Sequence, residues 1–129
     1  MVRVLVVDDD PDFCEITRLI LKARGYEVET ASHGDMALRM MRESPPQLVI
    51  LDVMMAGILD GVDVVHTMRA DDLLRRIPII MVSSIASSPM AEMFPTDEYL
   101  PVDSWISKPA QPDDLLRKVE RLLGQTSEV

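Results

Sequence analysis

Three consecutive carboxylates, Asp8, Asp9 and Asp10, end the apolar run VLVV near the start of the chain, and a second apolar run, LVIL, ends in Asp52. Two carboxylates about 4 Å apart repel by about 4 kcal/mol at an effective dielectric near 20, so acids delivered together by two strand tips need protons or a cation. Oxygen-only donors select a hard ion; Mg²⁺ characteristically takes one or two carboxylates, some waters and a phosphate oxygen. Part of the acidic run has a simpler use. Asp10 suits a helix N-cap, Pro11 the first helical position and Asp12 the positive end of the helix dipole. That leaves Asp8 and Asp9 for chemistry. Further along, IPIIMVS brings Ser83 to a strand end, and SWISKP brings Lys108 to another. Taken singly, Ser83 and Ser84 satisfy strand-end backbone groups, Ser87 and Ser88 cap a helix before Pro89, and Lys108 is a solvated side chain. Together, a carboxylate nucleophile, a divalent cation, a hydroxyl and an ammonium are the parts that stabilise a phosphoryl group in flight. The two histidines add no metal site. His33 falls in a turn and His66 on a helix face, where it is expected to pack at the core margin.

The elements that must position these groups follow from periodicity. Strand-length apolar runs occur at 3–7, 26–31, 47–53, 77–83 and 104–107. Helical spacing fills the gaps: Phe13, Ile16, Thr17, Ile20 and Arg24 up to a closing Gly25; Ala37, Met40 and Met41 before SPP; Val62, Val65, His66 and Arg69; and Leu115, Leu116, Val119, Leu122 and Leu123 between Pro112 and a closing Gly124. Strict strand–helix alternation with near-continuous Val, Ile and Leu strands predicts an α/β fold, a doubly wound five-stranded parallel sheet of order 2-1-3-4-5, flavodoxin-like, with helices on both faces. Such sheets bind ligands beyond the carboxyl ends of their strands, which places Asp8 and Asp9 opposite Asp52. The helix between the fourth and fifth strands is expected to be short, because Pro89, Pro95 and Pro101 interrupt it and an interior Pro costs about 3 kcal/mol.

Size and charge bound the function. With 129 residues, 47% hydrophobic and 27% charged, one core is expected, over residues 1–124, with 125–129 a short frayed tail and no output domain. No apolar run approaches the roughly 20 residues that span a bilayer, so no membrane insertion is expected. No secretory signal is expected, because the chain enters its first strand directly, and the lone Cys14 excludes an internal disulfide. A cytoplasmic protein is expected. A net charge of −9 argues against direct nucleic-acid binding, which draws its affinity from Lys and Arg on phosphates.

VLVVDDDP, LVILDVMM, IPIIMVSS and WISKP, in this order, resemble the acidic pair, phospho-acceptor strand, Ser/Thr strand and Lys-Pro element of the receiver domain of bacterial two-component response regulators, over essentially the whole chain. The resemblance implies that Asp52 accepts a phosphoryl group from a histidine kinase or phosphotransfer protein. It also implies that Asp9, Asp52 and the Met54 backbone carbonyl bind Mg²⁺ directly, with Asp8 acting through water. Lys108 would contact a phosphoryl oxygen, Ser83 would swing towards it, and Trp105 would fill the place of the switch aromatic. A cis Lys108–Pro109 bond and a phosphate-dependent surface for a downstream protein target are likewise implied.

The chain departs from the family pattern in places. DVMMAGILDG has Ala56 where Pro is usual and one extra residue before Asp60–Gly61, and the usual Gly-Ala before the last strand is missing. An altered output surface centred on Met90 to Tyr99 is therefore expected. Met54 and Ile85, apolar where attacking water approaches, predict slow loss of phosphate. Two other readings compete: a haloacid-dehalogenase-like phosphatase with Asp8 as nucleophile and Asp10 as general acid, and a binding module that docks independently of phosphate.

Overall fold

The computed structural model describes residues 2–52, 60–83, 102–108 and 111–127. The order is β1 (Arg3–Val7), α1 (Pro11–Lys22), β2 (Glu27–Ala31), α2 (Gly34–Glu43), β3 (Leu48–Asp52), α3 (Asp60–Ala70), β4 (Ile79–Ser83), β5 (Ser104–Ser107) and α4 (Pro112–Ser127). The strands form one parallel sheet in the order β2-β1-β3-β4-β5, as the alternation predicts.

Every residue of β3 and β4 is buried, which is why both read as unbroken apolar runs. Alternation along the strands divides the core in two. Leu5, Val7, Val49, Leu51, Ile79 and Met81 join Ala37 and Met41 of α2 and Val64, Val65 and Met68 of α3. Val4, Val6, Leu48, Ile50, Ile80 and Val82 join Cys14 and Leu21 of α1 and Leu115, Leu116, Val119, Leu122 and Leu123 of α4. Continued one step beyond the strands, the same alternation assigns Asp8, Asp52 and Lys108 to the α1/α4 side and Ser83 to the α2/α3 side.

The capping signals act as read. The Asp10 carboxylate accepts from the N–H groups of Asp12 and Phe13, with Pro11 in the first turn. Gly25 ends the α1 segment at φ +88°, a left-handed conformation costing an L-residue with a Cβ about 1–2 kcal/mol.

Four details differ from the sequence reading. On α3 the buried set is Gly61, Val64, Val65 and Met68, so the face is rotated by about one residue, or 100°. His66 is consequently exposed rather than packed at the core margin. Both sets of positions satisfy the helical period, and the more apolar one faces the sheet. On α1 the buried residues are Cys14, Thr17 and Leu21, which leaves Ile16 57% and Leu19 55% exposed. His33 does more than sit in a turn, since its Nδ1 accepts the Met36 N–H and caps α2. Finally, α4 does not close at Gly124 but continues to Ser127. A glycine costs a helix only about 1 kcal/mol, too little to stop one already held by five packed residues. The short helix expected before β5, the Met90–Tyr99 surface, Met54, Ala56, Ile85 and the Lys108–Pro109 bond lie outside the described residues. Among the described residues, no helix is long and apolar enough to cross a membrane.

Candidate functional site

The pairing of β1 with β3 sets Val6 against Ile50 and Val7 against Leu51, so the next residues, Asp8 and Asp52, leave the sheet side by side. The Asp8 N–H still donates to the Ala31 carbonyl at 3.0 Å, and this bond holds the start of the acidic turn in the ladder. Carboxylate oxygens of Asp8, Asp9 and Asp52 all lie within 4.8 Å of one another. Asp8 and Asp52 are buried while Asp9 faces solvent.

Lys108 enters from the last strand. Its N–H donates to the Ser83 carbonyl at 3.1 Å, continuing the β4–β5 ladder past Ser107. Its ammonium lies 2.9 Å from Asp8 Oδ2 and 3.3 Å from Asp52 Oδ2, and it hydrogen-bonds the latter. Burial alone would lower the Lys108 pKa, but the Asp8 and Asp52 carboxylates outweigh it and hold the ammonium above its ordinary range. The Asp8 side chain is fully buried. Its Oδ1 accepts the Asp10 N–H at 2.9 Å, whereas Oδ2 has the charge contact with Lys108 but, among the described residues, no partner in hydrogen-bond geometry.

These donors fit a hard divalent cation. With all three acids ionised, one ammonium leaves two negative charges uncompensated, and Asp8 Oδ2 is a buried acceptor whose capacity is only partly used.

Ser83, buried at the tip of β4, arrives at the same edge one residue beyond the Asp52–Val82 pair, on the opposite face by alternation. Trp105 pairs with Met81 and packs half-buried against the α2/α3 side of the core. Its indole Nε1 is buried with no hydrogen-bond partner among the described residues.

The sequence reading placed Cys14 and Phe13 only as a lone thiol and a helix-face residue, yet both touch the site. Cys14 Sγ donates to the Asp8 carbonyl at 3.3 Å, and the Lys108 ammonium sits over the Phe13 ring. Helical period from Asp10 could have flagged both, since the first turn after a cap folds back over the strand end. Burial, then the nearby charges of Asp8 and Asp10, push the Cys14 thiol up to about 11. The raised pKa leaves far less thiolate, only partly offset by a more nucleophilic sulfur, so native Cys14 should alkylate more slowly than the chain in urea at the same pH, by about tenfold or more. Equal rates with a maleimide or iodoacetamide probe, followed by mass spectrometry, would show that the thiol is not held as described.

The response regulator receiver domain family matches residues 4–120. DNA-binding response regulator MtrA of Mycolicibacterium smegmatis is 32% identical over 130 residues, covering 98% of this chain and 52% of MtrA. Probable transcriptional regulator ycf27 of Cyanophora paradoxa is 36% identical over 124 residues, covering 96% and 49% respectively. The chain thus spans about half the length of these curated relatives. Among solved structures, the signal receiver domain of a signal transduction histidine kinase from Syntrophus aciditrophicus superposes with TM-score 0.87 at 30% identity, over 100% of this chain and 95% of that one. A putative response regulator from Chloroflexus aurantiacus gives 0.84 at 30% identity, over 95% and 97%.

Proposed function

This chain belongs to the response regulator receiver domains of two-component systems, and from that premise we infer that it is a phosphoacceptor switch in which Asp52 takes a phosphoryl group from a histidine kinase or phosphotransfer protein. The observation that carries this reading is the convergence of Asp8, Asp9 and Asp52 at one strand-end edge with the Lys108 ammonium between two of them.

An Asp52 carboxylate oxygen attacks phosphorus as the bond from phosphorus to the donor's histidine nitrogen breaks, and the departing electron pair stays with that nitrogen. Asp8, Asp9, Asp52 and the Met54 carbonyl would hold Mg²⁺, which when bound offsets the charge gathered on the phosphoryl oxygens. Lys108, already 3.3 Å from Asp52, takes one of those oxygens. Ser83 takes another, and its movement together with Trp105 changes a surface that a downstream protein target reads. Such a chain works in the cytoplasm, and its −9 charge supports a partner other than nucleic acid for this segment. DNA binding, in the name of MtrA, belongs to that longer protein.

The phosphatase alternative loses its general acid: Asp10 is engaged as the α1 N-cap. Acetyl phosphate with Mg²⁺ is the test. A base-labile, acid-stable adduct at Asp52 supports the receiver reading, while an adduct at Asp8, or none, overturns it. Beryllofluoride-treated against untreated chain in a pull-down then exposes phosphate-dependent partners. Exposed Ile16 and Leu19, one turn apart on the helix that starts at the acidic turn, offer the phosphodonor an apolar contact. Leu19→Asp should therefore slow uptake from the donor protein about tenfold and leave uptake from acetyl phosphate unchanged. Equal slowing with both donors would remove Leu19 from that interface.

A further inference from the structure

Lys108 reaches the acidic pocket across the face of Phe13, its ammonium 4.8 Å from the ring centroid. Nothing in the phosphoryl chemistry above makes use of that ring. Phe13 sits in the first turn of α1, where its N–H donates to the Asp10 cap and its side chain packs against the buried cluster on the α1/α4 side of the sheet. The ring is therefore anchored by both its backbone and its packing.

Two kinds of attraction act on the ammonium, and they respond differently to a divalent cation. The first is Coulombic, from Asp8 at 2.9 Å and Asp52 at 3.3 Å. With a divalent ion among the three carboxylates, the net charge facing the ammonium falls from −3 to −1 and the ion itself repels it, so this hold weakens. The second comes from the ring quadrupole, which carries no net charge to be neutralised. As the Coulombic hold weakens, the aromatic one persists.

Resting on the receiver reading, we propose that Phe13 is a positioning residue: its ring keeps the Lys108 ammonium at the pocket once the divalent cation is bound, so that Lys108 is in place when a phosphoryl group arrives. An aliphatic residue of similar size would fill the same space without holding the charge.

The proposal separates ring chemistry from packing. In the full chain, the Lys108 ε-methylene protons should resonate upfield through the ring current. That displacement should survive saturating Mg²⁺ and disappear in Phe13→Leu. At saturating Mg²⁺, Phe13→Leu should take phosphate from acetyl phosphate about fivefold more slowly, and Phe13→Tyr, which keeps the aromatic face, should restore most of the rate. Loss of the upfield displacement when Mg²⁺ is added to wild type, or a wild-type rate in Phe13→Leu, overturns the proposal. If wild type takes up no phosphate at all, the receiver reading fails instead, and the Lys108 resonance with and without Mg²⁺ still decides whether the ring holds the ammonium.

Discussion

At a hundredfold its dissociation constant, Mg²⁺ is expected to raise the unfolding free energy of the wild-type chain by about 2.7 kcal/mol, and Asp9→Asn to remove most of that gain. The expectation follows from the charge balance. Three carboxylates within 4.8 Å of one another make three repulsive pairs, while a single ammonium touches only Asp8 and Asp52. At an effective dielectric near 20 each ionised pair costs about 3–4 kcal/mol, so the folded chain holds an electrostatic load that the unfolded chain relieves by separating the acids. A cation bound there stabilises the folded state alone. Asp9 is the informative position because it faces solvent. Its amide replacement leaves no buried group without a partner, removes one metal donor and lightens the repulsion in the metal-free protein. A thirtyfold weaker site would then gain under about 1 kcal/mol at the same concentration. Urea unfolding followed by Trp105 fluorescence, in EDTA and in MgCl₂, measures both effects. Coincident midpoints for wild type in the two buffers would mean that the acidic edge does not bind the ion.

Much of this architecture is legible in the sequence because one physical signal recurs: β3 and β4 are buried on both faces and therefore read as continuous apolar runs, with a charged or hydroxyl residue where each leaves the core. Asp52 and Ser83 announce themselves by ending such runs. Parallel pairing was legible too, since alternation with helices forces crossovers, and the order 2-1-3-4-5 is the common one for such a sheet. Amphipathic helices were less so. A shift of one position along α3 leaves a set that still satisfies the period, and only packing against the sheet chooses Val64, Val65 and Met68 over Val62, His66 and Arg69.

The contacts of long side chains were illegible for a different reason. Arg69 donates to the carbonyls of Arg75 and Ile77 and pairs with Asp103, which also accepts the Ile79 N–H, so one guanidinium ties the end of α3 to the starts of β4 and β5. No spacing in the chain encodes that set. Phe13 over Lys108 is another case, joining residues far apart in sequence through the sheet's topology alone. The site's acids could be read because strand ends place them, whereas its aromatic neighbour required the fold.

Lys108→Met is expected to destabilise the metal-free chain by about 2–3 kcal/mol and to slow phosphoryl uptake about a hundredfold. Methionine keeps the length and much of the bulk of the lysine stem while deleting its charge. What remains is Asp8, fully buried, with the Asp10 N–H on one oxygen and, among the described residues, no hydrogen-bond donor on the other, beside the buried Asp52. Stranding one member of a fully buried pair costs about 3–5 kcal/mol, and a value at or somewhat below the lower end is expected here because the Lys108 side chain keeps 19% exposure to water. The pH dependence separates this cause from lost packing. Because the folded-state pKa of Lys108 is raised above its ordinary 10.5, its contribution is complete below that value and is lost only as pH climbs through the raised one. From pH 6 to 9 the stability gap between wild type and variant should therefore stay constant as far as Lys108 is concerned, and it should narrow above about 10.5 as wild type loses its ammonium. Mg²⁺ should also help the variant more than wild type, because the deleted charge leaves a third uncompensated carboxylate for the ion to meet. Urea unfolding at pH 8, with EDTA or MgCl₂, and again at pH 11, reads each of these differences. A gap that is the same in both buffers and at both pH values would reduce Lys108 to a packing residue, and the acidic edge would then need another source of compensation.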